Sequence, residues 1–320
     1  MVASPAGARW RRHAAGTDAL KILMFGRTGQ VARELALRAP DGVIVQTLGR
    51  AEADLRDPAR CAGAILESDA DIVLNAAAYT AVDRAEEEEE VARAVNAVAP
   101  AAMAKAAATR GLPFIHLSSD YVFDGSGNTA WAPDAATRPI NAYGRTKRAG
   151  EEAVIACGGR TAILRTSWVF SAHGNNFVKT MLRLGGERDR IKVVGDQIGG
   201  PTSTADIVDA LLVMAHVLLR GGECSGVYHF SGAPDVSWAG FAREIFRQAA
   251  LPVEVDEIPT ASYPTPARRP LNSRLDCGAF TKVFGIRRPD WRVSLSPVLR
   301  ALRAEALVVR NSGQGPICLQ

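Results

Sequence analysis

The sequence predicts an α/β fold in which helices cover both faces of a doubly wound parallel sheet. Two observations lead to this prediction. Short apolar runs alternate with segments of helical periodicity over residues 21–168, and a glycine-rich turn directly follows the first apolar run. Alternating strands and helices are typical of parallel sheets, whose ligands bind at the carboxyl ends of the strands. We therefore expect the functional residues in the loops that follow the strands.

Five strands are predicted from short runs of apolar residues that are bounded by turn-forming residues. The first, KILMF, ends at the glycine-rich turn, and the third, DIVLNAAA, runs into a loop. The predicted strands are 21–25, 43–48, 71–78, 113–119 and 161–167.

Helices are predicted between these strands. Residues 30–37 carry apolar side chains at helical spacing, and Asp57-Pro58 has the residue types of a helix start. A long alanine-rich helix is predicted over 86–110, stopped by the glycine and proline that follow it. Its glutamate run 86–90 is interpreted as a solvated first turn that complements the helix dipole. Beyond residue 168 the alternation weakens, and proline, glycine and aromatic residues cluster as in loops over a cleft.

Composition and charge narrow the class of protein. The 320 residues are 47% hydrophobic and 22% charged, as in soluble globular proteins, and the net charge of +4 is too small to argue for nucleic acid. No apolar run is long enough to cross a membrane, and the amino terminus has no signal-peptide core. Three early arginines leave a nucleic-acid arm as the less favoured alternative to a disordered extension over residues 1–18. Five scattered cysteines, without CxxC spacing, fit the cytoplasm; they are Cys61, Cys157, Cys224, Cys277 and Cys318.

The turn GRTGQVA, residues 26–32, is the candidate cofactor site. Gly26 and Gly29 follow the first strand and open a helix, where backbone N–H groups can approach a pyrophosphate. A tight structural turn is the alternative, and the position after the first strand favours a dinucleotide. The second strand ends without an acid that would bind the ribose 2′-OH of NAD. Arg50 stands there instead and can pair with the 2′-phosphate of NADP, so NADPH is expected and NADH is the alternative.

The stretch NAYGRTKRAGEE supplies the candidate catalytic pair. Tyr143 and Lys147 lie four residues apart and therefore share one helix face, and a lysine beside a phenol is expected to lower the pKa of the phenol. Ser119 ends the fourth predicted strand, so its hydroxyl can converge with both. A hydroxyl, a phenol and an ammonium around a carbonyl serve hydride reduction, with the cofactor supplying the hydride. A capping serine and a solvated surface pair are the structural alternatives.

Taken together, these stretches resemble the extended short-chain dehydrogenase/reductases and, more closely, the dTDP-4-dehydrorhamnose reductase family. The resemblance runs from about residue 21 to 293 and implies a Rossmann-type domain with a smaller carboxyl-terminal α/β substrate domain. It also implies NADPH-dependent reduction of the 4-keto group of dTDP-4-dehydro-β-L-rhamnose to dTDP-L-rhamnose. The matching stretches are GRTGQVA, NAAAYTAVDRAE, SSDYVFDG, NAYGRTKRAGE, RTSWVF, GNNFVKTMLRL, DQIGGPT and YPTPARRPLNSRL.

Domain boundaries follow from the same resemblance. We expect an extension over 1–18, a nucleotide-binding domain over 19–168 to which later segments can return, a mainly substrate-binding region over 169–308 and a tail over 309–320.

The resemblance assigns roles residue by residue. Ser119 stands where the family usually has threonine, which keeps the hydroxyl. Asp120 and Trp168 would contact the sugar, although core packing is an equal alternative for the Trp168 ring. The family has been described with magnesium at a dimer contact, which matches Glu34 to a metal position and allows a homodimer. The residues expected at the cofactor are Gly26, Gly29, Gln30, Val31, Arg50, Asp54, Leu55, Ala77, Ala78, Thr80, Tyr143 and Lys147.

The dTDP part of the substrate has four further candidates. Arg268 and Arg269 stand beside prolines in an irregular stretch, and paired arginines can hold a pyrophosphate bidentately. Asn176 and Gln197 complete the set. A solvated arginine pair is the structural alternative.

Three rival functions share the fold. A dehydratase of this superfamily uses an Asp-Glu pair after the fourth strand, but here Asp120 is followed by Tyr121. An epimerase would retain and recycle its cofactor, and the sequence does not exclude it. A non-catalytic NADP-binding regulatory subunit would not need Ser119, Tyr143 and Lys147 together.

Overall fold

A computed structural model describes residues 19–222 and 224–311 of the chain. The predicted extension 1–18 and most of the predicted tail 309–320 lie outside the described residues. The described part contains thirteen strands. They are β1 Leu20–Phe25, β2 Val43–Leu48, β3 Ile72–Asn75, β4 Phe114–Ser119, β5 Thr161–Thr166, β6 Val169–Phe170, β7 Arg190–Val194, β8 Ile198–Gly199, β9 Thr202–Ser203, β10 Gly226–His229, β11 Val236–Ser237, β12 Glu254–Ile258 and β13 Asn272–Ser273.

The central element is a six-stranded sheet with the order β10-β5-β4-β3-β1-β2. All of its neighbouring strands pair in parallel. The chain moves outward from β1 to β2, returns past β1 to β3 and continues to the other edge, which is the doubly wound order that leaves a crevice at the reversal point. The predicted α/β class is therefore confirmed, as are the five predicted strands, although β3 ends earlier than expected, at Asn75.

Helices pack on both faces of this sheet. The α-helices are α1 Gln30–Arg38, α2 Pro58–Glu67, α3 Glu89–Arg93, α4 Ala99–Thr109, α5 Ala142–Ala156, α6 Phe177–Gly185, α7 Thr204–Leu219, α8 Trp238–Ala249, α9 Gly278–Phe284 and α10 Trp291–Asn311. None of the helices in the described part has both the length and the apolar character that a bilayer crossing requires.

Strand β1 shows why two helical layers form. Ile22 and Met24 are buried in a core cluster with α1 and α7, whereas Leu23 and Phe25 are buried in a second cluster with α2 and α4. Alternate side chains of a strand point to opposite faces, so a continuous apolar run requires cover on both.

Two segments beyond residue 168 return to the large sheet. Strand β10 pairs with β5 at one edge, and α7 packs against α1. The remaining segments form short sheets, β11-β8-β13, β12-β7 and β6-β9, around a third core cluster built on α6, α8 and α10. The predicted domain boundaries stay a prediction.

The predicted helix over 86–110 differs from the structure. A 3-10 turn at Arg84–Glu86 precedes α3, and a π-helical segment at Ala94–Val98 separates α3 from α4. The acidic run is a solvated first turn only in part. Glu89 and Glu90 lie in the first turn of α3, where Glu90 is exposed. Glu86 accepts a hydrogen bond from the Ala142 backbone N–H at 2.7 Å and Glu89 pairs with Arg145, so these two carboxylates also anchor α5.

Candidate active site

A cavity of about 730 Å³ opens at the carboxyl ends of the central strands. Its size suits a dinucleotide, and it lies where the strand order reverses. All twelve residues expected at the cofactor line it: Gly26, Gly29, Gln30, Val31, Arg50, Asp54, Leu55, Ala77, Ala78, Thr80, Tyr143 and Lys147.

The glycine turn forms one end of this cavity. Gly26 has a φ of 110°, a conformation that favours glycine, and its N–H donates to the Leu48 carbonyl at 2.9 Å. Gly29 caps the amino terminus of α1, and a Cβ added there would meet no atom within 4 Å. The free N–H groups of this helix start therefore face open space, as pyrophosphate binding requires.

Three charged side chains lie at the end of β2, and of these the sequence analysis assigned a role only to Arg50. Glu52 folds back to accept a hydrogen bond from the Gly49 N–H at 3.0 Å and pairs with Arg27 at 2.8 Å. The hydrogen bond from Arg27 is the main cause of the lowered pKa of Glu52. Arg27 also donates to the Thr47 carbonyl. Arg50 lines the cavity beside this arrangement.

Asp54, expected at the adenine, is held by a neighbouring arginine. The Arg56 guanidinium donates to both of its carboxylate oxygens, and these hydrogen bonds lower the pKa of Asp54 to about 2. Asp54 is therefore an ionised acceptor at neutral pH.

Asn96 is a positioning residue that the sequence analysis missed. Its side chain accepts from the Tyr79 N–H at 2.8 Å and donates to the Tyr79 carbonyl and to Thr146 of α5. It thereby joins the loop after β3, which lines the cavity, to the helix that carries Tyr143. Asn96 lies in the π-helical segment, and such segments are frequent at functional sites. The irregularity has no signature in the sequence that would have revealed it.

Helix α5 is fixed by its cap and by two close approaches of its glycines. Asn141 accepts from the Gly144 N–H at 2.8 Å and donates to the Arg268 carbonyl. A Cβ on Gly144 would lie 2.1 Å from the Tyr121 carbonyl oxygen, and one on Gly150 would lie 2.0 Å from that of Asn96. Glycine is therefore required at both positions, because Gly144 lets the helix approach the turn after β4 and Gly150 lets it approach the π-helical segment.

The structure brings Ser119 and Tyr143 together. The Ser119 hydroxyl lies beside the Tyr143 phenol and donates to the carboxylate of Asp120 at 3.0 Å. Burial is the main cause that raises the pKa of Tyr143 to about 12, and the Asp120 carboxylate raises it further. The expectation of a pKa lowered by Lys147 is therefore wrong for the cofactor-free chain, because desolvation outweighs the favourable contacts.

Lys147 points to the sheet rather than to solvent. Its Nζ donates to the Leu117 carbonyl at 2.7 Å and lies 3.3 Å from Nε2 of His116. The side chain is 1% exposed, and burial lowers its pKa to about 8, against the opposing effect of Glu151. The alternative of a solvated surface lysine is excluded.

Asp120 is buried at the start of the 3-10 turn Asp120–Val122. Burial raises the pKa of its carboxyl to about 6, although the hydrogen bond from Ser119 lowers it. It contacts the Ser119 hydroxyl directly, which sequence spacing alone could not show.

Trp168 stacks on Trp238 with ring centroids 3.5 Å apart. Its φ of 50° is unusual for a bulky residue, and such backbone strain clusters at functional sites. Trp238 donates to Gln197, which in turn donates to Thr260. Gln197 therefore orients the tryptophan pair.

The other substrate candidates are not free in this structure. Asn176 caps α6 by accepting from the Lys179 N–H and donates to Gln30 at 2.9 Å. Arg269 pairs with Asp83 at 2.8 Å, whereas the neighbouring Arg268 is exposed. The expected joint clamp of two arginines is therefore not preformed.

The cavity has polar atoms that fit a bound dinucleotide. Ser118 Oγ and Thr166 Oγ1 are buried and have no hydrogen-bond partner among the described residues, and both residues line the cavity. A magnesium site is not supported. The described residues contain no group of three or more His, Cys, Asp or Glu side chains that could hold a metal, and Glu34 accepts a hydrogen bond from Thr204.

Comparisons with known proteins agree with this geometry. A family model described as the RmlD substrate binding domain matches residues 20–304. A dTDP-4-dehydrorhamnose reductase from Sinorhizobium fredii is 43% identical over 292 residues, which cover 89% of this chain and 99% of that protein. The chain belongs to the dTDP-4-dehydrorhamnose reductase family. This membership confirms the resemblance that the sequence motifs indicated.

Solved structures of the same family superimpose on the chain. A dTDP-4-dehydrorhamnose reductase from Clostridium acetobutylicum aligns with a TM-score of 0.83 and 34% identity, covering 89% of this chain and 100% of that one. One from Bacillus anthracis, solved in complex with NADP, aligns with a TM-score of 0.82 and 32% identity over 88% of this chain and 99% of that one. A nicotinamide cofactor is thus supported for the fold and the cavity described above.

Proposed function

We propose that this chain reduces the 4-keto group of dTDP-4-dehydro-β-L-rhamnose with NADPH and releases dTDP-L-rhamnose. The observation that carries the proposal is that Tyr143 and Lys147 line a cavity of dinucleotide size, with the Ser119 hydroxyl beside the Tyr143 phenol. Family membership supplies the substrate class, because the relatives are named for this reaction. The four free cysteines among the described residues fit a reducing compartment, so we place the reaction in the cytoplasm.

The chain's own residues supply the proton and the charge stabilisation. The bound nicotinamide supplies the hydride to the carbonyl carbon. Tyr143 donates its phenolic proton to the oxygen that becomes the 4-hydroxyl, and Ser119 hydrogen-bonds the same oxygen as charge develops there. The raised pKa of Tyr143 keeps the phenol protonated at neutral pH, which is the form a proton donor needs.

Lys147 is proposed to stabilise the phenolate form of Tyr143. When protonated, its ammonium stabilises the phenolate that remains on Tyr143 after proton transfer, and it can hold the nicotinamide ribose. Its donation to the Leu117 carbonyl fixes the Nζ at the edge of the cavity.

Substrate contacts are assigned to the region beside β4 and to the smaller sheets. Asp120 and Trp168 are proposed to contact the sugar. Gln197 positions Trp238 under the Trp168 ring. Asn176, Arg268 and Arg269 are proposed for the dTDP part, which requires Arg269 to exchange Asp83 for the pyrophosphate.

The charged end of the cavity supports NADPH as the preferred cofactor. The carboxylate of Glu52, the nearest acid after β2, is bound by Arg27 and by the Gly49 N–H, so its charge is offset. Arg50 is the cation that we assign to the 2′-phosphate.

The deciding experiment incubates purified protein with dTDP-4-dehydro-β-L-rhamnose and NADPH and follows absorbance at the nicotinamide band. The proposal expects one NADPH consumed for each sugar reduced. Conversion of the sugar without net loss of NADPH would indicate an epimerase. Binding of NADPH without conversion of any dTDP-4-keto-6-deoxy sugar would indicate a regulatory subunit.

A further inference from the structure

A chain of buried hydrogen bonds connects the cavity wall to Lys147. The Ala77 N–H donates to Oδ1 of Asn75 at 3.1 Å, and Nδ2 of Asn75 lies 3.1 Å from Nδ1 of His116. Nε2 of His116 lies 3.3 Å from the Lys147 Nζ, which donates to the Leu117 carbonyl. Asn75 and His116 are fully buried, so solvent cannot replace the contact between their side chains.

The donor and acceptor roles of these atoms fix the direction of every hydrogen bond from Ala77 to Lys147. The backbone N–H of Ala77 can only donate, so the amide of Asn75 must present its oxygen to Ala77 and its NH2 group to His116. Nδ1 of His116 must then accept. A neutral imidazole with an accepting Nδ1 carries its proton on Nε2, and this proton points at the Lys147 Nζ.

An ammonium has three donors and no acceptor, so a protonated Lys147 would face the His116 N–H with another N–H. The neutral amine has a lone pair that can accept a hydrogen bond from the His116 Nε2–H, while one of its own N–H groups still donates to the Leu117 carbonyl. We propose that His116 is a positioning residue that donates its Nε2–H to Lys147 and favours the neutral amine in the cofactor-free protein. This inference deepens the proposed function, since Lys147 must be protonated to stabilise the Tyr143 phenolate.

The electrostatic surroundings agree with this arrangement. Burial is the main cause that lowers the pKa of His116 well below its usual range, so the imidazole is neutral. Burial lowers the pKa of Lys147 to about 8, whereas the Glu151 carboxylate raises it. The Glu151 carboxylate forms a buried salt bridge with the Arg165 guanidinium, with Oε2 and Nη2 2.7 Å apart, and this offsets its charge. The other titratable groups that face α5 from the elements packed on it are Glu86, Glu89, Asp120 and Tyr121.

The first test measures the tautomer of His116 in the full chain without cofactor at pH 7. Two-bond 15N–1H NMR correlations distinguish the two nitrogens, and the signals are assigned by their loss in His116→Gln. We expect the proton on Nε2 and none on Nδ1. A proton on Nδ1, or on both nitrogens, would overturn the proposal. This result does not depend on whether the substrate has been identified correctly.

The second test reverses the donor and acceptor roles of the two His116 nitrogens. In Asn75→Asp the carboxylate still accepts from Ala77 but also accepts from Nδ1–H of His116, which turns Nε2 into an acceptor for the Lys147 ammonium. The basic limb of the kcat/KM profile should then move upward by roughly one to three pH units, the range typical of a new favourable charge contact. An unmoved basic limb in a folded Asn75→Asp protein would contradict the proposal.

The double variant Asn75→Asp with His116→Phe separates relay from direct charge. Phe retains an aromatic ring beside Phe114, with which His116 stacks at 6.3 Å, but has no ring nitrogens. The upward shift should disappear. Persistence of the full shift would show that the carboxylate acts on Lys147 through space and would overturn the role of His116. If the variants do not fold, the tautomer measurement on the unaltered chain still decides.

Discussion

The Ser119 hydroxyl donates its proton to the carboxylate of Asp120 at 3.0 Å, the residue that follows it in the chain. The same hydroxyl accepts from the Tyr121 N–H and lies beside the Tyr143 phenol. A serine has one proton to donate, so Ser119 must turn that proton from Asp120 to the substrate oxygen when it acts in the reaction. Asp120 therefore holds Ser119 ready in the cofactor-free chain.

Ser119→Ala should lower kcat about 10²- to 10³-fold, the usual effect of removing one donor to a developing oxyanion. Ser119→Thr is the matched control, since it keeps the hydroxyl and adds a methyl group, and it should stay near wild type. Steady-state kinetics with saturating NADPH measure both. Wild-type kcat in Ser119→Ala would exclude Ser119 from the reaction.

Tyr143→Phe should lower kcat by about 10²- to 10⁴-fold, the range for general acid catalysis, while the Kd for NADPH changes little. Phenylalanine keeps the ring that packs edge-on against Tyr121 but removes the proton donor. Tyr228→Phe removes a phenol from β10 on the far edge of the sheet and should leave kcat unchanged. Turnover by Tyr143→Phe at the wild-type rate would refute the assigned donor.

Local patterns were sufficient to predict the central sheet and the residues that line the cavity. The apolar run at β1, the glycine turn and the residues of α5 are each a continuous stretch of sequence. The parallel sheet brings the carboxyl ends of its strands, and the loops that follow them, to one edge. Contacts made across the fold could not be predicted in this way. Asn96 and Glu86 act on α5 from more than forty residues away, through a π-helical segment and a 3-10 turn that leave no periodic signal.

The protonation of Tyr143 shows the same limit for electrostatics. Spacing on a helix indicated that Lys147 could reach the tyrosine, but it could not show how deeply both groups are desolvated. Burial is the main cause of both shifts, so the pKa of Tyr143 is raised and that of Lys147 is lowered. The contact of Arg269 could not be predicted for a related reason, because its partner Asp83 lies in a distant part of the sequence.

Asp120→Asn should stabilise the fold at neutral pH. The pKa of Asp120 rises from 3.8 to about 6 on folding, so between these values the native state holds a proton that the unfolded state has lost. The free energy of unfolding of the wild type therefore falls as pH rises through this window, by up to about 3 kcal/mol. Asparagine avoids this cost and can still accept from Ser119.

Urea denaturation of both proteins at pH 4 and pH 7 measures the effect. The advantage of Asp120→Asn should be small at pH 4 and largest at pH 7. Asp124→Asn is the matched control, because hydrogen bonds from Ser126 lower the pKa of Asp124 and the sign is reversed. If Asp120→Asn raised the free energy of unfolding equally at both pH values, ionisation of Asp120 would not destabilise the fold and the prediction would be wrong.

The chain should prefer NADPH to NADH, and Arg50→Ala should remove most of this preference. A charge-assisted hydrogen bond to the 2′-phosphate contributes roughly 1.5–3 kcal/mol, or about ten- to a hundredfold in kcat/KM. Arg27 cannot readily take over, since its guanidinium is held by Glu52 and the Thr47 carbonyl. Arg56→Ala is the matched control because Arg56 lines the same cavity but is committed to Asp54. Ratios of kcat/KM for the two cofactors in the wild type and both variants decide the matter. Equal use of the cofactors by the wild type would contradict the preference, and a ratio unchanged by Arg50→Ala would assign it to another residue.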